Sequence, residues 1–255
     1  MKKGDETAAE KRGIQSVEAA IAILQAVASA GGPQPLSAIA KATGNAASTT
    51  HRYLISLRRG ELVRQDPLTG GYDLGPGALH LGSAALRRMD AVGVAQNEAM
   101  RLATNCGETC FVSIWMADGP MIIRWFQGRR PIITSAGIGS VLPVMLSSSG
   151  QMFAAHLPPH AIEAALAAST PAHTLASVKK TLDKVRENRF SWIDGLIVSG
   201  LRGMSVPVLD VQGNIQCALT MLSTELSLVK FPNEPQRQLV KAGKEASRQL
   251  GYSDD

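Results

Sequence analysis

Cysteine is scarce in this chain of 255 residues, with only Cys106, Cys110 and Cys217. An odd number leaves one without a partner, and the C-x3-C spacing of the first two matches neither a zinc knuckle nor a C-x-x-C redox pair. A disulfide framework is therefore not expected, and a reduced cytosolic protein is. Long apolar stretches are missing as well. No uncharged apolar run approaches the roughly 18 residues needed to span a bilayer. The amino terminus, MKKGDETAAEKRG, mixes acids with bases and reads as a disordered tail over residues 1–13, so neither secretion nor membrane insertion is expected. The five histidines, His51, His80, His156, His160 and His173, show no metal-ligand spacing with the cysteines. His156 and His160 are separated by Pro158 and Pro159, which spoil a shared helical face. Gly137-Ile138-Gly139 lacks the third glycine of a dinucleotide fingerprint, and there is no Walker lysine motif. Ser147, Ser148 and Ser149 sit in no G-x-S-x-G elbow, and no His follows in a triad pattern. Neither metal, cofactor nor catalysis is expected.

What is present is ordinary globular material, 45% hydrophobic and 18% charged, with length for two domains. The net charge of +5 permits a polyanionic partner, but its placement says more. From Ala19 to Gly60 there is no Asp or Glu, while Lys41, Arg52, Arg58 and Arg59 fall inside that stretch and Arg64 just beyond it. A surface facing phosphates would meet little local repulsion there.

The same region carries a pattern of elements. Val17, Ile21, Leu24 and Val27 form an apolar stripe on a first helix that ends at Gly31, Gly32 and Pro33. Ser37 is placed to cap a short helix through Ile39 and Ala42, Gly44 breaks it, and Asn45 can cap the next. In that next helix Thr50, Leu54 and Leu57 face inward with Tyr53 beside them, and Ser48, Arg52, Ile55 and Arg59 face out. Ala46 and Ala47 keep its tip slim, the shape a helix needs to approach base edges. Leu62 to Arg64 and Tyr72 to Leu74 then read as two short strands around a Gly-rich turn. Helix, turn, helix and hairpin make a winged helix-turn-helix over residues 14–75. Its candidate DNA-facing residues are Ser37, Ala47, Ser48, Thr49, His51, Arg52, Arg59 and Arg64.

Beyond Gly75 the pattern predicts a linker helix over residues 76–90, then an α+β domain over 91–255. Asp90 can cap a helix that closes near Cys106 and Gly107. FVSIWM, MIIRWF and IIT suggest an antiparallel meander, and MLSSSGQMFAAHL a Ser-rich turn entering a helix. Helices fit Ala161 to Ala168 and Val178 to Arg189, strands return at GMSVPVLD and IQCALTML, and a last helix runs from about Glu234 to Leu250.

Ser48-Thr49 followed by His51-Arg52, Tyr72-Asp73-Leu74-Gly75, Gly107-Glu108-Thr109, Leu142-Pro143, Gly150, Gly200 and Pro207-Val208, in this order and spacing, make the chain resemble the IclR family of bacterial transcriptional regulators from Ile14 to Gly251. The resemblance implies an amino-terminal winged helix that binds operator DNA and a carboxy-terminal GAF-like domain that binds a small effector, usually in dimers or dimers of dimers. It places the effector pocket on Leu142, Ser148, Ser149, Ile193, Asp194, Leu201, Gly203, Thr220 and Leu222. Family members commonly carry an acidic, polar loop before the glycine and a cysteine near the position of Gly203. Here the loop is Asp194-Gly195-Leu196-Ile197-Val198-Ser199. That lining suits an aromatic or weakly polar acid or phenol better than a small, highly charged acid, which would find too few partners when buried. The turn at Ser148 and Ser149 is read as a helix amino terminus offering N–H groups to the ligand. Two alternatives stand beside this reading: a GAF-fold cysteine reductase using Cys106 and Cys110, and an architectural DNA-binding protein with no ligand.

Overall fold

The computed structural model describes residues 13–130, 132, 134–197, 199–224 and 233–253. The tail expected over residues 1–13 therefore lies, save Gly13, outside the described residues. Among those described, contacts divide the chain into two compact units between Met89 and Asp90.

The first unit holds α1 (Gln15–Ala28), α2 (Leu36–Thr43), α3 (Ala47–Arg59), β1 (Val63–Gln65), β2 (Tyr72–Leu74) and α4 (Pro76–Arg87). Its core is Ile23, Val27, Ile39, Leu54, Leu57, Val63 and Tyr72. On α1 the expected stripe is corrected: Val17 and Ile21 are about half exposed, at 51% and 49%, and the buried pair is Ile23 and Val27. Ala19 and Ala20 share that inward side, half-buried, and alanine is too weak a hydrophobic marker to have shown it in the sequence. Two expected caps are also corrected. Pro35 is the cap of α2 and Ala46 that of α3, neither with a side-chain bond. α2 starts one residue before Ser37, which leaves that hydroxyl inside the first turn. Asn45 instead donates its N–H to the Ala40 carbonyl at 3.1 Å, closing the end of α2. Gly44 makes the turn at φ 67°, a left-handed conformation that a side chain would strain.

The wing pairs Val63 with Leu74, Arg64 with Asp73 and Gln65 with Tyr72. Asp66 holds its tip: one carboxylate oxygen accepts from the Leu68 and Thr69 N–H groups and from the Thr69 hydroxyl at 2.7–3.0 Å. Gln34 adds a bridge to Tyr72, with N–H to carbonyl bonds of 2.8 and 2.7 Å in the two directions, so the wing is tied to the segment entering α2.

The second unit is built on a five-stranded antiparallel sheet in the order β4-β3-β7-β6-β5, formed by β3 (Thr109–Met116), β4 (Gly119–Phe126), β5 (Ser191–Asp194), β6 (Arg202–Leu209) and β7 (Ile215–Ser223). Helices α5 (Ala91–Cys106) and α9 (Glu234–Gln249) pack on one face; α6 (Ser148–His156), with α7 (Pro159–Ala168) and α8 (Leu175–Asn188) behind it, packs on the other. Cover on both faces explains why β6 is buried along its whole length. Asp90 caps α5 by accepting the Gly93 N–H at 2.8 Å, and Gly107 ends it at φ 72°.

Three expectations change here, and one strand was not expected. The strand expected at Ile132 to Thr134 falls partly on undescribed residues, and its described members are not in a strand. The edge of β4 is met instead by residues 139–142, through Gly139 to Ile122, Ile122 to Ser140 and Leu142 to Pro120 bonds of 2.8–3.0 Å. β5 was hidden in the sequence because four residues ending at Asp194 and Gly195 are too short for alternation to show. Finally, α7 and α8 start earlier than expected, at Pro159 and Leu175: proline suits a first helical turn, and Thr174 with Ser177 forms a capping box.

Candidate functional site

In the first unit the outer face of α3 carries Ala47, Ser48, Thr49, His51, Arg52 and Arg59, all exposed, while Thr50, Leu54 and Leu57 turn inward. With alanine at the cap and at the first position, no side chain crowds the helix tip. Four cations divide by their partners. Arg58 donates to Gln65 Oε1 at 2.9 Å, and Arg64 is bonded to Asp73 at 3.0 Å. Both are thereby held to the wing, so Arg64 is committed within the protein more than the sequence suggests. Arg52 and Arg59 form no ion pair among the described residues. The wing's own acids are occupied: the Arg64 guanidinium and the Leu74 N–H hold Asp73 below the usual carboxylate range, and hydrogen bonds from Thr69 and Leu68 do so for Asp66. Ser37 is exposed on the first turn of α2, a different helix from the other candidates.

The second unit holds a partly open cavity of about 70 Å³ between the sheet and the start of α6. Its floor is assembled by register, since Phe111 lies opposite Thr220, Leu222 opposite Gly203, and Gly203 opposite Ile193. Ser147, Ser148 and Ser149 form one wall, with Leu142 and Leu201 closing from the loops. The structure thus brings together Leu142, Ser148, Ser149, Ile193, Leu201, Gly203, Thr220 and Leu222. Asp194 is the exception. It is exposed, outside the lining, and its carboxylate lies 3.2 Å from Arg202 Nε. In a strand the next residue after Ile193 points to the opposite face, which is why Asp194 misses the cavity.

Sequence reasoning missed Phe111, Ile122, Trp125, Thr134, Ala136, Leu146, Ser147 and Ile197. Phe111 and Trp125 stack with ring centroids 5.8 Å apart and planes 2° from parallel. Alternation within FVSIWM puts Phe111 on one face, but which face needs the pairing with β7. Ser147 is the cap of α6: its hydroxyl accepts from the Gly150 N–H at 3.0 Å and donates to the Pro143 carbonyl at 2.7 Å. The first-turn N–H groups of Ser148 and Ser149 have no acceptor inside the helix. Gly150 must be glycine, because a Cβ there would overlap the Val144 backbone, 2.7 Å from its Cα. A Cβ at Gly203 would lie 2.9 Å from Ser148 Oγ, so glycine lets that hydroxyl come down onto the sheet. Among the described residues no ionisable side chain lines the cavity.

The pattern of the IclR helix-turn-helix domain matches residues 16–67, and that of the bacterial transcriptional regulator IclR C-terminal domain matches residues 83–252. The chain belongs to the IclR family. Among its relatives, the HTH-type transcriptional repressor AllR of Klebsiella pneumoniae is 28% identical over 225 residues, covering 86% of this chain and 83% of that protein. The crystal structure of Pseudomonas aeruginosa HmgR superposes with a TM-score of 0.87 at 30% identity, covering 95% of this chain and all of that one (100%). The Agobacterium tumefaciens repressor BlcR shares the fold, at TM-score 0.77 and 17% identity over 94% of this chain and 99% of its own. As an IclR-family member the chain is an effector-controlled, DNA-binding transcriptional regulator and not an enzyme.

The cysteine reductase alternative also fails on chemistry. Burial pushes the Cys110 thiol far up from its ordinary value and that of Cys217 to about 12, and burial with the Glu108 and Glu234 carboxylates raises Cys106. A thiol that resists ionisation is a poor nucleophile. Among the described residues no cluster of His, Cys, Asp and Glu is arranged to hold a metal ion, and no helix is long and apolar enough to cross a membrane.

Proposed function

We propose that the effector is a small aromatic or weakly polar acid or phenol, bound in the cavity under α6. The observation that carries this reading is the lining: aliphatic and aromatic walls with serine and threonine hydroxyls at one end and, among the described residues, no ionisable side chain. Among the described residues a dianion would meet no cation to pair it, at a cost on the order of several kcal/mol per buried charge. An aromatic acid places its ring against Phe111, Leu201 and Leu222 and its carboxylate at the N–H groups of Ser148 and Ser149. At about 70 Å³ the cavity is smaller than the roughly 150 Å³ that holds benzene, so an aromatic acid enters only as the loop walls at Leu142 and Leu201 move apart.

The operator is read by α3, with Ser48, Thr49, His51 and Arg52 over base edges beside Ala47, and with Ser37, Arg59 and Arg64 toward phosphates. Leu79 and Leu81 of α4 are 70% and 63% exposed, and Ile14 and Val17 at the start of α1 are 68% and 51% exposed. Apolar side chains so open to water support self-association, as a dimer or a dimer of dimers that presents paired winged helices to two half-sites. The AllR relatives are named as repressors, which favours repression relieved by the effector. The protein works in the cytoplasm, where its DNA is.

The test is a thermal-shift screen with aromatic acids, phenols and small keto and dicarboxylic acids. Stabilisation by an aromatic acid or phenol is expected. Greater stabilisation by a small dianion such as oxalate than by every aromatic acid tried would reject the reading.

A further inference from the structure

The polar end of the cavity has a proton count that can be followed atom by atom. Ser205 on β6 is wholly buried, at 0% exposure, and sits behind the lining. Its Oγ lies 2.8 Å from Ser148 Oγ, where the heavy-atom angles favour Ser205 as the donor, and 2.7 Å from Thr220 Oγ1. A serine hydroxyl carries one proton. With the Ser205 proton directed at Ser148, the proton in the second contact must be that of Thr220. Thr220 therefore turns only lone pairs toward the cavity. Ser148 accepts from Ser205 and keeps its own proton, and Ser149 Oγ, at 0% exposure, is buried with no hydrogen-bond partner among the described residues. Both serines line the cavity.

We propose that Ser205, which touches no ligand, fixes the hydrogen-bonding polarity of the cavity: donors at Ser148 and Ser149, an acceptor at Thr220. The ligand must then offer an acceptor to the serines and a hydroxyl donor to the threonine. These two points are close together, because Ser148 Oγ and Thr220 Oγ1 are both bonded to the one Ser205 oxygen. The class that fits is a hydroxy acid whose hydroxyl stands near its carboxylate. A keto acid of the same shape brings a carbonyl oxygen against the Thr220 lone pairs and is disfavoured. This deepens the aromatic-acid reading above and rests on it for the body of the ligand; the polarity itself does not depend on that reading.

Mandelate and phenylglyoxylate share one skeleton and differ in that the first carries a hydroxyl where the second carries a ketone. Titration calorimetry of the full chain is expected to show one mandelate enantiomer binding about tenfold or more tighter than phenylglyoxylate, the factor that one good hydrogen bond supplies. Ser205→Ala frees the Thr220 proton to serve an acceptor, and should shrink that ratio by about tenfold; a change in packing alone would weaken both acids together. An unchanged ratio in the variant, or a wild-type preference for the ketone, overturns the proposal. Neutron diffraction from deuterated wild-type crystals tests the polarity without a ligand. Deuterium on Thr220 aimed at Ser205, and on Ser205 aimed at Ser148, supports it; a Thr220 deuterium pointing into the cavity overturns it. If neither acid binds, the aromatic-acid reading fails and the neutron map still decides the polarity.

Discussion

Replacing a glycine by alanine at two positions beside the cavity should give opposite results, and the geometry says why. At Gly203 the new methyl would lie 2.9 Å from Ser148 Oγ and 3.6 Å from Leu222 Cδ2. Neither neighbour is backbone, and Gly203 is not among the positive-φ glycines, so the strand itself can accept alanine. Ser148 can relieve the contact by changing rotamer, which gives up its 2.8 Å bond to Ser205, a loss of about 0.5–1.5 kcal/mol net. Against this, removing a glycine restricts the unfolded chain and returns about 0.4–1 kcal/mol. The two nearly cancel, and the melting temperature should move by no more than about 4 °C, since ~1 kcal/mol corresponds to ~2–4 °C at this chain length. Ligand binding should suffer much more, because the methyl rises from the floor and Ser148 no longer faces the ligand. A loss of tenfold or more, about 1.4 kcal/mol, is expected. At Gly150 the methyl would instead overlap the Val144 backbone, 2.7 Å from Cα, which no rotamer can relieve. Destabilisation of about 3 kcal/mol is expected there, the upper end for overpacking. Differential scanning fluorimetry and calorimetric titration with a ligand from the screen read both quantities. Gly203→Ala binding as tightly as wild type, with Gly150→Ala melting at the wild-type temperature, would refute the account of how these glycines shape the cavity.

Arg52→Ala should weaken operator binding by about 1–3 kcal/mol, concentrated on one base pair if it reads a guanine, with unchanged circular dichroism; an unaltered gel-shift titration removes it from the DNA-facing set. Leu201→Asp should abolish the effector response and leave DNA binding intact, because it buries an unpaired charge in a unit separate from the winged helix; full ligand affinity in calorimetry would contradict this. Leu79→Asp with Leu81→Asp should lower the mass measured by light scattering at micromolar concentration; an unchanged mass would place self-association elsewhere. Cys217, with its thiol pushed up to about 12, is ionised to about one part in ten thousand at pH 8, so it should react with a thiol reagent only on unfolding; rapid labelling in the native protein would contradict its burial.

Much of the fold was legible because its signals are local. Gly44 and Gly107 end helices by needing left-handed backbone, Asp90 caps by its own side chain, and Thr50, Leu54 and Leu57 repeat at helical spacing. What escaped depends on contacts distant in sequence. The inward face of α1 was shifted because alanines at 19 and 20 carry little hydrophobic signal, whereas Val17 and Ile21, apolar yet exposed, carry a strong one. The two expected caps failed through one-residue displacements of helix starts, and β5 is recognisable only from its pairing with β6. In the cavity, the residues implied by family resemblance converge except Asp194, which strand alternation turns away. Phe111, Trp125 and the Ser205 bridge were not legible, since each belongs to the site only once the β3–β7–β6 register is known.

Filling the cavity of the second unit is expected to change how the first unit holds DNA. Fluorescence anisotropy on an operator fragment selected from random-sequence DNA tests it most directly, with wild type and Leu201→Asp each titrated with and without the aromatic acid that stabilises the protein best. The ligand should shift operator affinity by about tenfold or more in the wild type, within the ordinary range of allosteric coupling, and leave the variant unmoved. An equal shift in both proteins, or none in the wild type at a ligand concentration shown by calorimetry to fill the cavity, would contradict it.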